Sequence, residues 1–321
     1  KLTREYEPNH PMVGSLKARS SALKWLLVVC FGFLGYKNAR YGRIEAHEAV
    51  TKGGREVLLR AKEVAEEEGF EVLHMYVDAL WVKKKGCNKP EHFNELITNI
   101  NKRTGLAINL DGIYRWIAFL PSKTDHRVPI ANRYFGIFKS GEIKLRGIES
   151  RRRDTPPWIA NVQKEMIQIL AKAKTRSELE QRLCEAFDFY NQALNTLKNK
   201  ELDLRGLVIN GKVSYALEAY KATTPSVRAA RQMQAAGQTI KPGQRVRFIY
   251  TKGQPDVFPW DLGAKLEYAQ INKAKYIELL AKAGATVLQP FGIEPKLILE
   301  WSQRGSIQLP LRTILSNFEK R

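Results

Sequence analysis

The feature that most constrains this chain is a carboxylate within the apolar stretch at residues 70–82, which reads Phe-Glu-Val-Leu-His-Met-Tyr-Val-Asp-Ala-Leu-Trp-Val. The β-branched and aromatic residues favour a strand, and Asp78 lies inside it. Because an unpaired buried charge is unfavourable, such a carboxylate either binds a cation or reaches water at a hairpin turn. The hairpin turn is the more common arrangement for a single residue.

Composition limits the kind of partner. The chain has 321 residues, which indicates two or three compact units, and 44% hydrophobic residues, which is ordinary for a globular protein. The formal net charge is +20. Such an excess favours a polyanionic partner, with nucleic acid first and an anionic membrane surface second. The three cysteines are far apart, which argues against a zinc module or a disulfide framework and favours a reducing compartment.

One apolar segment, residues 25–34, resembles the apolar part of a signal peptide because Lys17, Arg19 and Lys24 precede it. It is too short to cross a bilayer, and no small-residue cleavage pattern follows it. The segment therefore predicts a buried core helix and no membrane association.

The first half of the chain alternates between helical and strand patterns. We expect helices at 15–33, 44–68 and 90–103, with a break in the second helix at Gly53-Gly54 and its end at Gly69. Strands are expected at 106–110, 114–120, 133–138 and 142–148, with a hairpin turn at 139–142. This order predicts an α+β layer.

After residue 154 the pattern becomes mainly helical. Asp154 or Thr155 is expected to cap a helix that has Pro156 in its first turn, and Ser177-Glu-Leu-Glu180 has the spacing of a capping box. A further helix is expected to begin at Thr224-Pro225 and to end at Gly237. A strand at 245–250 and a helix at 272–282 complete the pattern.

The basic residues are concentrated in two places. The window 221–255 has no acidic residue and contains Lys221, Arg228, Arg231, Lys241, Arg245, Arg247 and Lys252. Helical spacing places Arg228 and Arg231 on one face, and strand spacing does the same for Arg245 and Arg247. A second cluster is Arg151-Arg-Arg153. A solvated charged face is the common alternative, but an acid-free window of this length favours binding of phosphate backbones.

Several short motifs follow one another in a recognisable order. They are Gly35-Tyr-Lys-Asn-Ala-Arg40, the stretch around Asp78, Asn132-Arg-Tyr134, Arg146-Gly-Ile-Glu-Ser-Arg-Arg-Arg-Asp154 and Pro225-Ser-Val-Arg-Ala-Ala-Arg231. This order resembles the C-terminal part of family B DNA polymerases of archaeal and bacterial type, from the last fingers helix through the palm to the thumb. The resemblance implies an α+β fold, with fingers helices and an antiparallel palm sheet followed by a mainly helical thumb. It divides the chain into a fingers-derived segment at 1–43, the C-terminal part of a palm at 44–154 and a thumb at 155–321.

The resemblance also assigns site residues. Asp78 corresponds to a catalytic metal ligand, and Lys24 and Phe31 correspond to nucleotide-binding positions. The implied DNA-binding residues are Arg133, Tyr134, Arg151, Arg152, Arg153, Lys221, Arg228, Arg231, Lys241, Arg245 and Arg247.

The chain departs from the family pattern at chemically important positions. Val28-Val29 replaces an Asn-Ser pair, Phe31 replaces a tyrosine, Tyr76 replaces the first aspartate of the hairpin, and Asn132 replaces a lysine. Two-metal phosphoryl transfer needs carboxylates on both sides of the metal pair, and the upstream Asp-x-x-Ser-Leu-Tyr-Pro motif is not found in this sequence. We therefore expect no polymerase activity from the chain alone and Mg²⁺ binding only if a partner chain completes the site, which leaves its status as an enzyme open.

Three hypotheses follow. In the first, the chain pairs with an N-terminal polymerase subunit that carries the exonuclease and the first palm motif. In the second, it is a non-catalytic scaffold that binds double-stranded or primer–template DNA. The third, outside the family, is a basic protein that binds RNA or a membrane surface. The first two predict a cytoplasmic, nucleoid-associated protein without membrane contact.

Overall fold

The computed structural model describes residue 6 and residues 10–122, 125, 128–263 and 266–304. The chain forms two compact units, Lys1–Asp111 and Gly112–Arg321. Helices and antiparallel sheets occur together, which confirms the α+β class. The boundaries expected at residues 43 and 154 separate fingers, palm and thumb, whereas the boundary at residue 111 separates two compact units. The expected boundaries therefore stay a prediction.

The first unit contains three helices and one hairpin. They are α1 (Pro11–Leu34), α2 (Ile44–Glu67), β1 (Glu71–Tyr76), β2 (Ala79–Lys83) and α3 (Asn94–Thr104). The expected break at Gly53-Gly54 is wrong, because α2 continues through both glycines. A glycine costs a helix interior only about 1 kcal/mol, which neighbouring turns can offset. The predicted stop at Gly69 is confirmed by its left-handed φ of 76°.

The core of the first unit lies between α2, α3 and the hairpin. Ala65 is fully buried, and Phe70 packs near Phe93 with ring centroids 5.8 Å apart. Leu96 and Ile100 add the apolar side of α3. One face of the hairpin thus obtains the packing that an isolated two-stranded sheet lacks.

Helix α1 differs from expectation. The sequence predicts a buried core helix over its apolar segment, but Trp25 is 67% exposed, Leu27 72% and Val28 58%. The prediction is wrong because apolar residues surround the helix, whereas its packing against α2 covers only part of that circumference. No helix within the described ranges has the length and apolar character needed to cross a membrane.

The second unit begins with an antiparallel sheet of β3 (Tyr114–Pro121), β4 (Pro129–Phe138) and β5 (Ile143–Arg146). The predicted turn at 139–142 joins β4 to β5. The strand expected at 106–110, which falls in the first unit, is wrong. Its backbone has no partner strand, and the N–H of Ile108 donates to the Asn101 side chain at 2.8 Å.

The rest of the second unit is mainly helical around one further sheet. Its helices are α4 (Pro157–Ala171), α5 (Arg176–Asn199), α6 (Pro225–Ala235), α7 (Lys273–Leu288) and α8 (Pro295–Arg304). The sheet pairs β6 (Ile209–Lys212), β7 (Arg245–Tyr250) and β8 (Val257–Pro259) in that order. One hydrophobic core joins these elements to the first sheet, with Phe135, Met166 and Val246 fully buried in it.

Two expected helix caps are wrong. The N-cap of α4 is Pro156, and the Asp154 carboxylate accepts hydrogen bonds from Arg152 instead of capping the helix. Helix α5 begins two residues earlier than the Ser177 motif predicts. Its N-cap is Thr175, which accepts from the Glu178 N–H at 3.2 Å, while the Glu178 carboxylate accepts from the Lys174 N–H at 2.9 Å. This pair of hydrogen bonds resembles a capping box, but the helix begins two residues earlier than the sequence predicts.

Candidate nucleic-acid interface

Two neighbouring strands place cations on one outward face of the second unit. In the antiparallel pair of β6 and β7, Lys212 lies opposite Arg245, and Asn210 lies opposite Arg247. Val246 between the two arginines is fully buried. The predicted alternation of Arg245 and Arg247 on one strand face is therefore confirmed.

An open groove of about 380 Å³ brings two arginines of the second basic cluster close to one arginine of the acid-free window. Arg152 and Arg153 line it from the segment before α4, and Lys212 and Arg245 line it from the sheet. We call it the basic groove; its remaining lining residues are Asp154, Asn210, Gly211 and Ser226. The fold thus places cations from distant parts of the sequence along one groove.

The groove exists because β6 approaches the first turn of α6 closely. A Cβ on Gly211 would overlap the Ser226 side chain, so only glycine permits this approach. Thr224 is the N-cap of α6, and its hydroxyl accepts from the Val227 N–H at 3.4 Å. The positive end of the helix dipole therefore lies at the groove beside Ser226.

One cation of the groove is neutralised within it. Arg152 donates from Nε to Asp154 Oδ1 at 2.9 Å and from Nη2 to Oδ2 at 2.5 Å. These hydrogen bonds lower the pKa of the Asp154 carboxyl and raise the pKa of Arg152. Among the described residues, no side chain or carbonyl accepts a hydrogen bond from the side chains of Arg153, Lys212 or Arg245.

Several predicted DNA-binding residues are engaged elsewhere. Arg228 forms a bidentate pair with Asp256, at 2.7 Å for both hydrogen bonds, and Arg247 pairs with Asp261. These acids lie just beyond the acid-free window, so the window overstates the number of free cations. The guanidinium of Arg231 donates to a backbone carbonyl at 3.4 Å.

Lys221, Lys241 and Arg151 have exposed side chains, and they are not among the residues that line the groove. Their predicted contacts with DNA stay a prediction.

Arg133 belongs to a polar network. It donates to Glu149 Oε1 and to the carbonyl of Gly147, at 3.0 Å each, and its side chain is 28% exposed. Tyr134 is 6% exposed in β4 and packs beside Phe119, with ring centroids 5.7 Å apart. The structure thus places Arg133 partly, and Tyr134 almost wholly, inside the unit; their contact with DNA remains a prediction.

Asp78 lies at the turn of the β1–β2 hairpin in the first unit. Tyr76 pairs with Ala79, so Val77 and Asp78 form a two-residue connection. Val77 has φ of 54°, a strained conformation for a β-branched residue, and Asp78 is exposed. The carboxylate therefore reaches water, as the hairpin alternative requires.

The two predicted nucleotide-binding residues are both on α1. Lys24 is exposed. Phe31 is 40% exposed and stacks on His47 of α2, with ring centroids 4.2 Å apart. The stacking orients Phe31 towards a neighbouring helix of its own unit.

The donor set does not fit two magnesium ions. Within the described parts of the chain, no group of three His, Cys, Asp or Glu side chains comes together to hold a metal ion. Asp78 is one carboxylate, whereas a two-metal centre needs carboxylates that bridge and flank both ions. The described residues of this chain therefore do not form a two-metal centre by themselves.

Sequence reasoning missed Lys212, Asn210 and Ser226 as groove residues. Lys212 is a single lysine in a short strand with no cluster around it, and only the strand register places it opposite Arg245. The one available signal was Gly211, since an isolated glycine in a strand often marks a close approach of backbones.

The chain was compared with protein families, curated proteins and solved structures. The sequence model of the family "DNA polymerase family B" matches residues 11–290. DNA polymerase 2 of Aeropyrum pernix is 28% identical over 298 residues, which cover 91% of this chain and 34% of that protein. DNA polymerase 2 of Saccharolobus solfataricus is 34% identical over 175 residues, which cover 54% of this chain and 26% of that protein.

Among solved structures, the family B DNA polymerase of the archaeon Pyrobaculum calidifontis matches with a TM-score of 0.56 and 26% identity, covering 91% of this chain and 36% of that structure. The chain therefore spans about a third of the length of the relatives that it matches. The family match extends over most of the chain and includes both the hairpin and the basic groove. The chain belongs to DNA polymerase family B.

Proposed function

We propose that this chain is the DNA-binding palm and thumb portion of a family B DNA-directed DNA polymerase homologue. It binds double-stranded or primer–template DNA through the phosphate backbone. The observation that carries the proposal is the basic groove, where Arg153, Lys212 and Arg245 converge. Contacts of this kind give affinity without reading sequence. Association with the nucleoid follows from the same binding.

Electrostatics supports this surface as the binding face. Lys212 and Arg245 are directly opposite across two strands, an arrangement in which like charges repel. A polyanion that neutralises them relieves the repulsion and releases its own counterions. The net charge of +20 strengthens the approach of DNA at low salt.

Catalysis by this chain alone is not part of the proposal. One exposed carboxylate, Asp78, is too small a donor set for two metal ions. We propose that Mg²⁺ binds only when an N-terminal polymerase subunit supplies the first palm motif and the exonuclease. The support for this proposal is that the described residues of this chain bring one carboxylate, and not two, to the hairpin turn.

The exposed apolar surface of α1 supports the existence of such a partner. Trp25, Leu27 and Val28 lie on one short segment and are all more than half exposed. Large exposed apolar surfaces are more often interaction sites than isolated exposed apolar residues are. The alternative is a non-catalytic scaffold that binds duplex DNA, and the departures at Tyr76 and Asn132 favour it.

A mobility-shift titration of duplex DNA between 50 and 300 mM salt tests the binding proposal. We expect the logarithm of the binding constant to fall linearly with the logarithm of salt concentration, by about 0.9 for each phosphate contact. A flat response would overturn DNA-backbone binding.

Primer extension in Mg²⁺ tests the catalytic part. We expect no extension by the chain alone and, if a partner completes the centre, extension that Asp78→Ala abolishes. Extension by the chain alone that is lost in Asp78→Ala would contradict the proposed incompleteness. The scaffold is favoured if the chain binds DNA but no N-terminal polymerase fragment with the first palm motif restores extension.

A further inference from the structure

The loop that follows β6 presents an aromatic ring to solvent. Tyr215 is 66% exposed, whereas Leu217, two residues further along, is buried. Tyr215 belongs to none of the motifs that carry the family resemblance, and it does not line the basic groove. We propose that the Tyr215 ring is a stacking platform for an unpaired base, in a DNA single strand that extends from the bound duplex.

The first argument is that the loop backbone is held in place. The Tyr220 hydroxyl accepts hydrogen bonds from the N–H of Ser214 at 2.5 Å and from the N–H of Tyr215 at 3.2 Å. Between them in the chain, the carbonyl of Leu217 accepts from the Arg231 guanidinium at 3.4 Å. A tyrosine on a fixed backbone has only two side-chain torsions left, so a base that stacks on it costs little conformational entropy.

The second argument is the way in which the ring packs. Tyr215 and Tyr220 form a T-shaped pair, with ring centroids 5.7 Å apart and ring planes at 68°. In such a pair the edge of one ring meets the face of the other. The contact therefore covers at most one face of Tyr215, and the exposure of this side chain leaves the other face open to a planar group.

The third argument is the charge around the loop. Lys212 lies three residues before Tyr215, Lys221 follows the loop, and Lys241 belongs to the turn that hydrogen-bonds to the backbone directly after β6. All three lysines are exposed, and within the described ranges none of them forms an ion pair. The loop itself has one carboxylate, the exposed Glu218. The surroundings of the ring thus remain cationic.

An exposed aromatic ring among unpaired cations is the combination that binds single-stranded nucleic acid without sequence preference. The bases of a duplex already stack on one another, so the faces within a helix are closed to a side chain. Tyr215 therefore selects an unpaired base, and the lysines contact the phosphates next to it. The choice of DNA rests on the proposed function, whereas the stacking adds a preference that contacts with the phosphate backbone alone do not give.

Three DNAs that share one duplex test the platform: a blunt end, a single-stranded overhang of about six thymidines, and an abasic overhang of the same length, which keeps the phosphates and lacks the bases. Fluorescence anisotropy at fixed salt gives each affinity. We expect the wild type to bind the thymidine overhang about fivefold or more tightly than the abasic overhang.

Three variants locate the effect. Tyr215→Ala should remove the preference for thymidine over abasic overhangs, and Tyr215→Phe should keep it, because the ring remains. Tyr41→Ala removes a similarly exposed aromatic ring from the first unit, where the exposure is 71%, and should also keep the preference.

Equal affinity of the wild type for thymidine and abasic overhangs would overturn the platform, as would a preference that persists in Tyr215→Ala. Loss of the preference in Tyr215→Phe, or an equal loss in Tyr41→Ala, would also contradict stacking on this ring. If salt-dependent binding of the blunt duplex remains in any of these cases, the proposed function stands without the platform. If the blunt duplex does not bind but the thymidine overhang binds through Tyr215, the platform holds and the proposed duplex binding fails.

Discussion

Gln163 donates a hydrogen bond from Nε2 to Glu149 Oε2 at 2.8 Å, inside a helix interface where the Gln163 side chain has no solvent exposure. Its Oε1 accepts from the Ser150 N–H at 2.7 Å, and Nε2 also donates to the carbonyl of Ala283 at 2.9 Å. Glu149 in turn accepts from Arg133. This network fixes the turn that leads directly into Arg152 and Arg153 of the basic groove.

We predict that Gln163→Met weakens DNA binding by about fivefold, because it frees the turn at residues 149–151 and lets the following arginines leave the groove. Binding is measured by mobility shift at fixed salt. Gln168→Met, an exposed glutamine on the same helix, is the matched control and should bind like the wild type.

A double-mutant comparison separates positioning of the arginines from a purely structural role of Gln163. If Gln163 acts through the groove, Gln163→Met should cause no further loss of DNA affinity in a chain that already carries Arg152→Ala and Arg153→Ala. An additive loss, or a wild-type affinity in Gln163→Met with a lowered melting temperature, would contradict positioning of the arginines.

Asp154→Asn should tighten duplex binding. The change removes one negative charge from the groove and releases Arg152 to contact phosphate, so the salt slope should rise by about 1. Asp188→Asn makes the same change of net charge on the exposed side of α5 and should leave the slope unchanged. Equal effects of the two substitutions would show that net charge alone matters.

The ion pair of Arg152 and Asp154 predicts how acid changes the stability of the fold. Because Arg152 lowers the pKa of the Asp154 carboxyl below 3.8, the pair stabilises the fold above that value, and the contribution is lost as pH falls through the lowered pKa. The pair is about half exposed, so the effect should be small. Chemical denaturation between pH 2 and 6 should show a weaker dependence on pH in Asp154→Asn than in the wild type.

Local patterns in the sequence predicted most of the fold, and non-local packing explains the failures. The strand at 245–250 and the stop at Gly69 depend on neighbouring residues, so they were predictable. The exposure of Trp25 depends on how much of α1 its own unit covers. The pairings of Arg228 with Asp256 and of Lys212 with Arg245 depend on strand register and on contacts between distant segments, which composition does not encode.

Tyr190 should make the second unit sensitive to alkaline pH. Its side chain is fully buried, its hydroxyl lies 2.5 Å from Ser302 Oγ, and burial raises the pKa of Tyr190 to about 12. The raised pKa means that stability is complete below pH 10.0, the value for the unfolded chain, and falls as pH rises towards about 12. Urea unfolding from pH 9 to 11.5 should show a shallower decline in Tyr190→Phe than in the wild type. Identical declines would mean that Tyr190 does not ionise on unfolding.

The close approach of β6 and α6 predicts the effect of enlarging Gly211. Gly211→Ala should destabilise the second unit by about 1–3 kcal/mol and weaken DNA binding, because its methyl group would displace Ser226 and the first turn of α6. Ser226→Gly makes room for the methyl group, so the double variant should lose less stability than the sum of the two single variants. Urea unfolding of the four proteins measures this coupling. A Gly211→Ala chain as stable as the wild type would mean that strand and helix separate freely at this point, and the shape of the groove could not depend on this contact.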